Sequence, residues 1–224
     1  MKPWKLLDSA RVPGSDTEMR LYQRERELSI RVDGAELMNS RASASEVALA
    51  ERGCARICGR QAARVLIGGL GMGFTLRTAL DALAPDAQVV ISELVPEVVR
   101  WNRDYLGELA GHPLRDPRVD VQEQDVGVLI RGARSAFDAI LLDVDNGPEG
   151  LTRALNDGLY TRAGLEAARA ALRGGGVLGV WSAGENRAFV ERLRDVGFDV
   201  EQIVSRARAG KGARYIIWLA SPRS

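Results

Sequence analysis

The chain has 224 residues, 46% of them hydrophobic and 27% charged, with 31 Lys and Arg against 30 Asp and Glu. That is the composition of one globular domain with room for a small appendage. So even a charge balance supplies no field to hold a nucleic acid backbone or an anionic membrane, and no apolar run reaches the roughly 18 residues a membrane helix needs. No nucleic acid and no membrane is therefore expected as a partner. One His (His112) and two Cys (Cys54 and Cys58) cannot build a structural zinc site by themselves and make a histidine relay a poor candidate. No metal is expected, and polar chemistry falls to carboxylates and backbone.

The first eight residues break after two leucines and carry no small-residue cleavage site, which argues against a signal peptide and for a cytoplasmic protein. Residues 19–22, 28–32 and 36–38 read as short strands around Asp33-Gly34. They define a small N-terminal β domain over residues 1–45, too little to fold securely alone and expected to dock on the core or on a second subunit. Cys54 and Cys58 fall four apart in a helix-like stretch and read as two small core residues.

From Ala62 onward strands and helices alternate. Residues 64–67 read as a strand, 74–83 as a helix, 88–91 as a strand and 96–109 as a helix with Pro96 in its first turn. Strands follow at 119–122 and 137–142, with a short helix at 126–131 between them. A helix at 161–172 is ended by Gly174-Gly175-Gly176, and 177–181 is a fifth strand. A helix at 186–196 precedes two strands, 198–206 and 213–219, whose short glycine-containing connection favours an antiparallel pair. Alternation of this kind predicts an α/β fold, a doubly wound, Rossmann-like sheet of seven strands, one of them reversed, over residues 46–224.

Between the first strand and helix of that core runs Gly68-Gly69-Leu70-Gly71-Met72-Gly73. A glycine turn there lets backbone amides and a helix N-terminus approach a ligand. The dinucleotide spacing Gly-x-Gly-x-x-Gly fails, because the required position is Phe74 and Gly73 comes one residue early. Gly-x-Gly-x-Gly is the loop form of S-adenosylmethionine enzymes. Glu93, at the end of the next strand, stands where a carboxylate accepts from both ribose hydroxyls of a nucleoside. Asp125 follows the third strand; it either accepts from an adenine amino group or caps the helix that starts at Val126. The candidate cofactor contacts are thus Gly69, Gly71, Gly73, Glu93, Asp125 and Val126.

Asp143-Val144-Asp145-Asn146-Gly147-Pro148 places two carboxylates and an amide at the sheet's carboxyl edge, over the crevice where ligands bind in such folds. Turn chemistry explains residues 146–148 but not Asp143, which closes the apolar run Ala139-Ile140-Leu141-Leu142. Asp143 and Asp145 are the candidate catalytic residues.

In this order the parts resemble the spermidine synthase family, aminopropyltransferases with a small N-terminal β domain and a methyltransferase-like core. The carriers are the glycine run 68–73, Glu93-Leu94-Val95-Pro96-Glu97-Val98-Val99, Asp116-Pro117-Arg118-Val119, Asp125 and Phe137-Asp138-Ala139-Ile140-Leu141-Leu142-Asp143. The resemblance implies that Glu93 holds the ribose, Asp125 the adenine, and that Asp143 is the first acid of Asp-Ser-Ser-Asp-Pro, which helps deprotonate the attacking amine. It also implies S-adenosylmethionine or its decarboxylated form as cofactor, a small-molecule amine as substrate, and a homodimer.

The departures are equally definite. The family loop Gly-Gly-Gly-Asp-Gly-Gly carries an acid for the amine of decarboxylated S-adenosylmethionine, and Leu70-Gly71-Met72 has none. The second acid of Asp-Ser-Ser-Asp-Pro is replaced by Asn146 or displaced to Asp145. The Asp-Glu-x-x-Tyr-His-Glu helix is here residues 44–51, which keep Glu46 and Glu51 but lack the Tyr and His. Three readings follow: an amine-alkylating, spermidine synthase-like transferase with Asp143 as general base; an S-adenosylmethionine-dependent small-molecule methyltransferase; or a non-catalytic adenosyl-binding interaction protein on the same fold.

Overall fold

The computed structural model describes residues 2–144, 148, 158–208 and 211–223. Four strands open the chain, β1 (Lys5–Arg11), β2 (Glu18–Arg24), β3 (Glu27–Val32) and β4 (Ala35–Asn39), paired antiparallel in sequential order. Between β3 and β4, Asp33 and Gly34 both take positive φ, 47° and 85°, the conformation that a tight two-residue hairpin turn demands and that Asp-Gly tolerates. Strand β1 carries no sequence signal, because its register shifts between Leu6 and Asp8 and breaks the alternation. Docking holds it instead. Ala10 is buried, and Asp8 accepts from the Trp101 indole N–H at 2.8 Å and from Arg100 at 2.6 Å.

The core then runs α1 (Ala44–Ala55), β5 (Arg64–Gly68), α2 (Phe74–Ala82), β6 (Gln88–Ser92), α3 (Pro96–Trp101), β7 (Val119–Gln122), α4 (Val126–Gly132) and β8 (Phe137–Leu142). It closes with α5 (Arg162–Ala171), β9 (Leu172–Ser182), α6 (Arg187–Asp195), β10 (Phe198–Arg208) and β11 (Lys211–Pro222). Among the described residues the sheet has seven strands in the order β7-β6-β5-β8-β9-β11-β10, parallel throughout except for β11, which is antiparallel to both its neighbours. The expected doubly wound sheet with one reversed strand is therefore present.

Period-2 alternation sends each strand's side chains into two cores. Val65, Ile67, Val89, Ile91 and Leu141 face α1, α2, α3 and the N-terminal sheet; Leu66, Val90, Ile140 and Leu142 face α4, α5 and α6. The N-terminal sheet lends Ala10, Val12, Leu21, Leu28 and Ile30 to the first core, so it is packed onto the main domain. No helix among the described residues is long and apolar enough to cross a membrane.

Three local expectations are corrected. The helix expected over residues 96–109 ends at Trp101 and continues as a π turn (Asn102–Leu106) and a 3-10 turn (Gly107–Ala110). Asn102 explains the break, since its Nδ2 donates to the Val98 carbonyl four residues back at 2.9 Å and competes with the helical ladder. Gly174-Gly175-Gly176 does not end the preceding helix, which stops at Ala171; the glycines form an irregularity early in β9, whose register against β8 shifts there. Of the two cysteines only Cys54 is buried, and Cys58 is exposed.

Candidate functional site

Parallel strands that start together also end together, so β5, β6, β7 and β8 deliver Gly69, Glu93, Asp125 and Asp143 to one edge. The ladder runs on into their loops. Gly69 N donates to Ser92 O at 2.8 Å, Glu93 N to Gln122 O at 3.0 Å, and Asp143 N to Gly68 O at 2.9 Å. Strand order reverses between β5 and β8, the switch point where α/β sheets open a crevice. A cavity of about 150 Å³ lies there, lined by Gly69, Gly71, Glu93, Asp125, Val126 and Asp143 on the core side and by Val12, Met19, Ile30, Val32, Leu37 and Met38 from the N-terminal sheet.

The loop's conformation depends on its glycines. Gly69, Gly71 and Gly73 have φ of +86°, +50° and +85°, and a Cβ on Gly69 would stand 2.3 Å from the carbonyl oxygen of Asp143. Gly73 serves a different purpose from its neighbours: it is the N-cap of α2, set against Asn102 and Pro113 rather than on the cavity wall. Asn102 also donates to Gly71 O at 2.8 Å and so ties the loop to the π turn.

Glu93 is 8% exposed and already engaged: its Oε2 accepts from Leu70 N and its Oε1 from Val95 N, each at 2.9 Å. Burial raises its pKa, and the backbone amides of Val95, Leu70, Gly71 and Leu94 oppose that. These amides fix the carboxylate's orientation at the edge of the cavity. Asp125 is the N-cap of α4, accepting from Gly127 N at 2.6 Å, and it also lines the cavity, so its capping role and its place at the crevice coexist.

Asp143 belongs to two cavities. The second, about 290 Å³, is lined by Glu36, Asn39, Ser45, Glu46, Trp181 and Tyr215 along with Asp143, Leu37 and Met38. Burial raises the Asp143 pKa, opposed by the Thr75 hydroxyl, which donates to its Oδ2 at 2.5 Å. The Glu46 pKa is raised first by burial and then by the Asp143 charge, and that of Tyr215 by burial, Glu46 and Glu36. Trp181 and Tyr215 stack at 4.9 Å between ring centroids to form an aromatic wall. No Lys or Arg is among the described residues lining this cavity. Asp145, Asn146 and Gly147 lie outside the described residues.

Glu36, Thr75, Met38 and Tyr215 are site residues that pattern reading does not find. Thr75 sits in a helix whose apolar spacing points only to packing, and Glu36 and Met38 alternate in a short strand whose docking brings both to the crevice.

A seven-stranded sheet with a reversed last strand and a glycine loop, a glutamate and an aspartate along its carboxyl edge defines the methyltransferase-like class of α/β proteins. Within that class, the spermine/spermidine synthase domain matches residues 54–194, and the chain belongs to that family. It is similar to a spermidine synthase solved in complex with the transition-state analogue AdoDATO, at 17% identity and TM-score 0.77 over 97% of this chain and 72% of that one. It is also similar to the spermidine synthase of Thermotoga maritima, at 19% identity and TM-score 0.78 over 97% and 73% of the two chains. A probable spermidine synthase of Corynebacterium glutamicum aligns at 17% identity and TM-score 0.69 over 99% and 81%. At these identities the likeness to the solved structures is one of fold. No curated protein matches the chain.

Proposed function

We propose that the chain alkylates a small amine with the sulfonium-activated carbon of an adenosyl donor, as an aminopropyltransferase does, with Asp143 as general base. The observation that carries this reading is the position of Asp143 on the walls of both cavities, one suited to a nucleoside and the other acidic. The residues fit such a donor. Gly69 and Gly71 leave room for close approach, Glu93 presents a carboxylate whose two oxygens are fixed by backbone amides, and Asp125 stands further along the same wall. The donor supplies a carbon whose bond to sulfur breaks, leaving a neutral thioether, as the amine nitrogen bonds to it and gives its proton to Asp143. Glu36 and Glu46 attract the cationic amine, and the Trp181–Tyr215 wall excludes water beside it. An amine cation between Glu46 and Asp143 relieves their mutual repulsion and favours the ionised form that a base needs.

One observation favours a methyl donor as the second reading. Leu70 and Met72 are buried apolar residues, so this loop offers no carboxylate to repel that of ordinary S-adenosylmethionine. The two readings part on product. Incubation with decarboxylated S-adenosylmethionine and a diamine should release methylthioadenosine. Release of S-adenosylhomocysteine from S-adenosylmethionine, with no methylthioadenosine from the decarboxylated donor, would replace aminopropyl by methyl transfer.

Glu93→Gln should weaken nucleoside binding by about 1.5 to 3 kcal/mol, the range for hydrogen bonds to a charged group. It turns one acceptor oxygen into a donor facing Leu70 N or Val95 N, so the melting temperature should fall as well. Calorimetry with methylthioadenosine measures the first effect and thermal unfolding the second; unchanged affinity would refute the ribose contact.

A further inference from the structure

Thr75 is 2% exposed and stands in the first turn of α2, where no earlier helical turn offers its hydroxyl a carbonyl four residues back. Its Oγ1 donates instead to Asp143 Oδ2 at 2.5 Å. The backbone beneath is fixed too, by Asp143 N donating to Gly68 O and by the close approach of Gly69 to the Asp143 carbonyl.

We propose that Thr75 is a positioning residue for Asp143: its hydroxyl holds the carboxylate at the junction of the two cavities and favours the ionised form over the neutral one. The proposal rests on Asp143 being the base. A hydroxyl that donates to a carboxylate loses that partner's charge when the acid protonates, so the contact pulls the Asp143 pKa down against burial, which raises it. The N-terminus of α2 adds to the same preference for negative charge. The titratable groups sharing the two cavities with Asp143 are Glu36 on β4, Glu46 on α1, Glu93 after β6, Asp125 before α4 and Tyr215 on β11. Burial raises the Asp143 pKa and the Asp143 charge adds to the rise at Glu46, so the Thr75 contact is the one side-chain hydrogen bond among the described residues that opposes the rise at Asp143.

The test is carboxyl NMR on the full chain labelled in its aspartates, with Asp143→Asn assigning the resonance. Thr75→Val should raise the Asp143 midpoint by about one pH unit, tenfold in the ionisation constant. Thr75→Ser should return it to the parent value. In turnover at a pH below the midpoint, Thr75→Val should lower kcat about tenfold with the KM for the donor unchanged, and Thr75→Ser should restore it. Thr75→Ala serves should the valine variant not fold. An unmoved midpoint in a cooperatively folded Val or Ala variant, or failure of Ser to rescue, overturns the proposal. A midpoint that moves as stated in a chain that turns over no donor supports the Thr75 contact and overturns the catalytic reading alone.

Discussion

Asp143→Asn should leave adenosyl-donor affinity nearly intact while lowering turnover by about 100-fold or more, the usual scale of a lost general base. The separation is expected because the proposed nucleoside contacts are other groups, the glycine loop and Glu93, whereas Asp143 also lines the second, acidic cavity. Asparagine keeps the shape and can still meet the Thr75 hydroxyl through its carbonyl oxygen, but it has no site for the amine's proton. The pH dependence follows from the same carboxyl. Burial places the Asp143 and Glu46 pKa values above those of the unfolded chain, so the folded state binds more protons between the two values. Their contribution to stability is full below the ordinary carboxylate range and is lost as pH rises through the raised values. Catalysis runs the other way, because the base must be ionised: kcat/KM should rise with pH over that span. Asp143→Asn should abolish this limb along with most of the rate. Turnover that persists in Asp143→Asn would make the residue structural.

Gly69→Ala should cost both stability and donor binding. Positive φ at a non-glycine residue costs roughly 1 to 2 kcal/mol, and here the new methyl would also overlap a main-chain carbonyl, that of Asp143, at 2.3 Å. Neither group is a flexible side-chain end, so the loop or the end of β8 has to shift. We expect about 3 kcal/mol lost from unfolding free energy and at least a tenfold loss in nucleoside affinity, since the shift moves the candidate base and the loop together. Two other glycines serve as internal references. At Gly71 the methyl would meet the Cε of Met38, a movable side-chain end, and at Gly34, whose φ is +85°, it meets nothing within 4 Å. Gly34→Ala should show the conformational strain alone. Denaturant unfolding of the three alanine variants should rank Gly69 as the most damaging; equal losses at Gly69 and Gly34 would mean that the contact with Asp143 is not rigid.

Strands β7 and β8 were legible to the residue because their apolar, β-branched runs are bounded by turns on both sides, and a parallel sheet needs little more. Chain position alone also brought Glu93, Asp125 and Asp143 to one edge, since every such strand ends on the same side. What stayed hidden depends on three-dimensional packing. Strand β1 is held by Asp8 against Trp101 and Arg100, partners far along the chain. The π turn after α3 arises from one asparagine side chain that also reaches the glycine loop. The family resemblance implied too few acids for an amine pocket, yet Glu36 and Glu46 line one cavity with Asp143; the first comes from a strand of the N-terminal sheet, whose docking no local pattern reveals.

On the proposed function, the crevice bounded by Gly69, Glu93 and Asp125 takes an adenosyl sulfonium donor for transfer to an amine. Isothermal titration calorimetry of the full chain with decarboxylated S-adenosylmethionine, S-adenosylmethionine and S-adenosylhomocysteine tests it most directly. The decarboxylated donor should bind the most tightly, and Glu93→Gln should weaken it. Tighter binding of S-adenosylmethionine or S-adenosylhomocysteine would move the assignment to methyl transfer, and no heat from any of the three would contradict it.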